Sequence, residues 1–72
     1  MFPNLKAELA RRDITVIRLH ELLIENGTKI SIASLRNKLL GHREFTLSEA
    51  LAIFNLLHVD IPFEYLFERK SS

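Results

Sequence analysis

Four positive charges and no negative one fall within residues 29–43, KISIASLRNKLLGHR: Lys29, Arg36, Lys38 and Arg43. Cations gathered on so short a segment suit a polyanion, because neutralising phosphates releases their condensed counterions. Asn37 has the amide group that bonds an adenine edge at two atoms, and Arg36 has the guanidinium that bonds guanine or phosphate. Ile32 and Ala33 can touch thymine methyl groups, with Ser34 and Lys38 flanking them. His42, beside Arg43, is a further candidate neighbour of phosphate. The plainer readings are a solvated helix face for the charges and an exposed loop residue for His42.

Other chemistries find little support. The only glycines are Gly27 and Gly41, so no glycine-rich loop is available to cradle a nucleotide phosphate. The run from His20, HELLI, begins like a zinc-protease helix but lacks the second histidine. His20, His42 and His58 fall on three separate elements, and His20 and His58 read as surface or helix-end residues. No cysteine is present, so thiolate metal sites and disulfides are excluded. A chain of 72 residues leaves little room for a water-excluding catalytic pocket. The expectation is a protein that is not an enzyme and takes no cofactor, metal or small-molecule substrate.

The basic segment needs a scaffold, and the rest of the chain has the periodicity of helices and no alternation of a strand. Apolar residues make up 47% and charged residues 26%, an ordinary globular balance, and the net charge is +1. The charge is uneven: residues 1–28 carry four of each sign, 29–43 four positive, and 44–72 two positive against five negative. No apolar run approaches the roughly 20 residues that span a bilayer, and the start lacks a signal-peptide layout, so a cytoplasmic protein with no membrane partner is expected.

A first helix is predicted from residue 3 or 4 to 12, with Pro3 early, where its missing N–H costs nothing, and Asp13 suited to the left-handed conformation that ends it. Thr15 caps a second helix, with Ile14 and Leu19 as a hydrophobic staple and Asn26-Gly27 as its end. Ser31 caps a third helix reaching about Leu40, with Leu35 and Leu39 facing inward and Ile32, Ala33, Arg36 and Asn37 outward. Thr46-Leu47-Ser48-Glu49 is a capping box for a fourth, whose apolar face reads as Leu47, Ala50, Leu51, Phe54 and Leu57, ending near His58. Pro62 opens a short fifth helix. Its Phe63, Leu66 and Phe67 close the core, or else Ile61, Tyr65 and Phe67 stay partly exposed and pair with a second copy. One domain over 1–68 and a frayed tail at 69–72 complete the division.

In this order the segments resemble the Cro/C1-type helix-turn-helix domains of phage and bacterial repressors over nearly the whole chain. NLKAELARRDIT looks like the opening helix and the lead into the second, SIASLRNKLLG like the recognition helix with its closing glycine, and REFTLSEALAIFNLLHVDIPFEYLF like the last two helices. The resemblance implies an all-α, five-helix, lambda-repressor-like domain that binds double-stranded DNA as a homodimer, a small phage- or prophage-type transcriptional regulator. Its base-contacting residues would be Ile32, Ala33, Ser34 and Asn37, and its phosphate contacts Arg18, Lys29, Ser31, Arg36, Lys38, His42 and Arg43. The pattern departs from the family in three places. Val16 stands where a phosphate-gripping glutamine is usual, leaving that contact to Arg18. About five extra residues lengthen the second helix by nearly a turn and loosen the connection to the third. His58 stands where a helix-ending glycine is common. The other reading is a protein-interaction module that keeps the fold and does not bind DNA.

Overall fold

Three of the five helices start where a short polar side chain takes over an unpaired backbone N–H. In the computed structural model, which describes residues 2–69, the elements are α1 (Pro3–Arg11), α2 (Val16–Glu25), α3 (Ile32–Leu39), α4 (Leu47–Leu57) and α5 (Phe63–Leu66). No strand occurs among the described residues. Thr15, Ser31 and Thr46 lie in extended backbone, and their hydroxyls accept from the N–H groups of Arg18 (3.1 Å), Ser34 (3.1 Å) and Glu49 (3.2 Å). Glu49 returns the bond, its Oε1 accepting from the Thr46 N–H at 3.0 Å, and closes the capping box. Pro3 opens α1, which has no side-chain cap.

The first three helices end alike. Ile14, Thr28 and His42 each donate a backbone bond of 2.9 Å to the carbonyl five residues back, at Leu9, Leu23 and Asn37. This closes a turn only if the preceding residue is left-handed, and Asp13 (φ 54°), Gly27 (85°) and Gly41 (86°) are. His58 takes the same conformation after α4, at φ 51°.

These starts and stops stack the helices around one core of Phe2, Leu5, Leu9, Leu19, Leu23, Ile30, Leu35, Ile53, Leu57 and Leu66. α2 packs against both α3 and α4, and α5 lies on α1 and α4. The radius of gyration, 11.2 Å, is that of a compact chain of this length. Leu5, Leu19, Leu23, Leu35, Ile53 and Leu66 have no exposed surface. Truncating one to alanine costs about 2–5 kcal/mol, comparable to the whole stability of so small a domain.

Four expectations change. The buried face of α4 is Ala50, Ile53 and Leu57, while Leu47 and Leu51 are 68% and 41% exposed. Eight of its eleven residues are apolar, so spacing alone did not select a face. Phe67, for which the sequence leaves both core and dimer surface open, is half-buried and packs against Phe2, Phe45 and Phe63, with ring centroids 6.0, 5.7 and 5.0 Å away. The connection from α2 to α3 is longer than a tight turn but not loose. Ile30 is buried, and His20, expected at the surface, is half-buried and donates from Nε2 to the Ile30 carbonyl at 2.8 Å. Arg69, expected in a frayed tail, donates to the Gly41 carbonyl at 3.0 Å and lies 5.6 Å from the Phe2 ring centre. Residues 70–72 of that tail lie outside the described residues.

Candidate functional site

The outward face of α3 follows from the way the helix is anchored. Leu35 is fully buried and Leu39 half-buried against the core. Ala33, Arg36 and Asn37 have the i, i+3, i+4 spacing of one helix face, and all three are exposed. Ile32, also expected to face outward, is half-buried, as is Ser34, expected to flank the face. The Ser31 hydroxyl is engaged in capping, as described above. Lys29 in the connection before α3, and His42 and Arg43 in the loop after it, are exposed and extend the face at its two ends. Lys29, Arg36 and Arg43 have no ion-pair partner among the described residues.

Besides Ser31, two expected phosphate contacts are engaged elsewhere. Lys38 is turned from the open face toward α4: its Nζ donates to Glu49 Oε1 at 2.6 Å, and the two side chains are only 11% and 14% exposed. The oxygen that completes the α4 cap therefore also holds a lysine of α3. Burial raises the Glu49 pKa, but the Lys38 hydrogen bond and the Thr46 backbone N–H outweigh it and leave the carboxyl below its usual range. Arg18 is exposed on α2 and pairs at 3.3 Å with Glu21 on the same helix. Such a solvated pair contributes little stability, so Arg18 can leave Glu21 for a stronger anion.

Arg69 also approaches Glu44 at 3.6 Å, so the acidic residue beside Arg43 has a cation of its own. Sequence reasoning missed this contact, the His20–Ile30 tie and the second partner of Glu49. All three join residues ten or more positions apart, for which neither helical spacing nor capping chemistry gives a signal. Of the residues proposed to meet a second copy, Tyr65 is exposed and Ile61 half-buried. Among the described residues no cluster of histidine, aspartate and glutamate stands ready to hold a metal ion, and no helix is long and apolar enough to cross a membrane.

The fold and this face define a small all-α domain with a cationic surface on α3. Residues 4–61 match the family model described as a domain of unknown function (DUF6471), and the chain belongs to that family. The match takes in α1 to α4 and ends just before α5. No curated protein and no solved structure matches the chain.

Proposed function

We propose that this domain binds double-stranded DNA, with α3 in the major groove, as a small transcriptional regulator of the repressor type. The observation that carries the reading is the exposed Ala33–Arg36–Asn37 face, continued by Lys29, His42 and Arg43 and free of acidic partners among the described residues. A helix packed on its neighbour through Leu35, with its opposite face cationic and polar, suits a groove that admits one helix. α2 and α3 are then the two helices of a helix-turn-helix, joined by the tied connection through Ile30. Asn37 is the direct reader, through its amide to an adenine edge, and Ala33 and the edge of Ile32 meet thymine methyls. Lys29, Arg36, His42 and Arg43 bind phosphates, joined by Arg18 once it leaves Glu21. Lys38 drops out of this set, because its ammonium is held by Glu49.

The protein binds as a homodimer through a surface around Tyr65 and Ile61, on half-sites about one helical turn apart. Selection from a random duplex pool, followed by fluorescence-anisotropy titration of the selected site, tests the reading. Asn37→Ala relaxes preference at one base pair. Arg36→Ala weakens all duplexes and lowers the salt slope by about one. Parent-like affinity and preference in both variants would remove α3 as the reading element.

A protein partner is the second reading, and one observation favours it. Leu47, Leu51, Ile17 and Ile24 are large apolar side chains left at the surface of α4 and α2, more than DNA contact asks for. Salt-independent retention on duplex DNA, or none, would favour that reading.

A further inference from the structure

The exposed α3 face does not account for a pocket on another part of the molecule. A cavity of about 180 Å³ opens between α1, the start of α2 and the end of α3, lined by Phe2, Lys6, Leu9, Val16, Leu39 and Leu40. Its walls are almost wholly apolar. Lys6 is exposed and has no ion-pair partner among the described residues. Its aliphatic stem can line the wall while the ammonium stays in water. Leu40, 54% exposed, is an apolar side chain that a bound group would cover.

We infer that this cavity binds a short-chain aliphatic monocarboxylate, its chain among Leu9, Val16 and Leu39 and its carboxylate on the Lys6 ammonium. The volume sets the size. An apolar protein cavity of about 150 Å³ stays dry and takes up benzene, so 180 Å³ holds a chain of about six to eight carbons and no drug-sized molecule. The lining sets the chemistry, since it offers no hydrogen-bonding wall for a sugar or nucleoside and has a single cation, Lys6. A carboxylate head on an apolar tail satisfies both. Leu39 and Leu40 close α3, so an occupant would touch the end of that helix without touching its outward face.

The test is titration of the intact protein with straight-chain carboxylates from butanoate to dodecanoate, read by methyl chemical shifts and by thermal stability. Octanoate is expected to raise the melting temperature and to shift the methyl signals of Leu9, Val16, Leu39 and Leu40. Each added methylene tightens binding about fourfold until the cavity is full, after which affinity levels off. Lys6→Gln, a surface change that leaves the core intact, weakens octanoate about two- to fivefold and leaves n-octanol unchanged. Val16→Met narrows the cavity and moves the plateau to a shorter chain.

Absence of shifts at those methyls overturns the site. Affinity that keeps rising with chain length, with shifts spread to Leu47 and Leu51, shows surface adsorption and overturns it equally. Lys6→Gln acting on acid and alcohol alike, or on neither, overturns the carboxylate assignment. These readouts are independent of DNA binding.

Discussion

His58 and Asp13 are the two non-glycine residues held at positive φ among the described residues. A Cβ in that region crowds the following carbonyl at a cost of about 1–2 kcal/mol, a strain that aspartate tolerates better than most residues. His58→Gly is therefore expected to raise the unfolding free energy by about 1 kcal/mol, after allowance for the freedom glycine adds to the unfolded chain. Asp13→Gly should gain less. Urea denaturation at neutral pH measures both, and a loss on His58→Gly would mean that the imidazole makes a contact worth more than the strain. Gly27 is the converse case. A Cβ built there meets nothing within 4 Å, so the cost of Gly27→Ala, about 1 kcal/mol, comes from the backbone at φ 85° alone. At this scale the sequence was most readable, because caps and left-handed turns demand particular residue types next to one another. Thr15, Ser31, Thr46, Asp13 and Gly27 all announce themselves. His58 reads as a helix-end residue and as a departure from the glycine common at that place in the family it resembles, but nothing in a histidine itself signals a left-handed turn.

Between elements the chain was harder to read, and the join from α3 to α4 shows why. The capping box at Thr46 and Glu49 is a four-residue signal, but the Lys38 ammonium on the same carboxylate comes from a helix eleven positions away. As a basic residue on a short basic helix Lys38 reads as a phosphate contact, but its position beside Leu39 turns it toward α4. Two carboxylates now have lowered pKa values. Glu49 is lowered against its burial by Lys38 and Thr46, and Glu8 chiefly by the Arg12 hydrogen bond, with Arg11 adding to it against the effect of burial. The unfolded chain binds protons at these groups before the folded one does. Their contribution is thus complete above the ordinary carboxylate pKa near 4.5 and is lost as pH falls through the lower folded values. Denaturant midpoints should hold steady from neutral pH to about 5 and then decline. Glu49→Gln retains an acceptor for Thr46 and should flatten part of that decline. Glu49→Ala loses half of the capping box and strands Lys38, costing about 1–2 kcal/mol at neutral pH. If Glu49→Gln left the acid limb unchanged, the Lys38 pair would not contribute to it.

For the molecule as a whole, chain length and helical periodicity are enough for an all-α single core but not for which surfaces remain open. α4 is apolar nearly all round, so only its packing on α2 and α5 decides that Ile53 is buried and Leu47 is not. The same holds for charge. Ten lysines and arginines against nine acids give a net charge of +1, which on its own predicts nothing about a partner. What matters is which cations are already engaged. Among the described residues Arg11 and Arg12 are held by Glu8, Lys38 by Glu49 and Arg69 by Glu44, which leaves Lys6 on α1 and Lys29, Arg36 and Arg43 around α3, with Arg18 loosely paired. Each phosphate neutralised on B-form DNA contributes about 0.9 to the slope of log affinity against log salt. Three to four available cations in each protomer therefore predict a slope of about −3 per protomer, or about −6 for a dimer on two half-sites. Had Lys38 been free, each protomer would add nearly one more. Glu49→Gln separates these cases: it weakens the hold on Lys38 while keeping the cap, so the slope should steepen by up to about one per protomer as the lysine becomes available to phosphate. Anisotropy titrations of the selected duplex across a salt series measure it. A slope near zero in the parent would mean that the cationic face of α3 is not the surface that meets DNA.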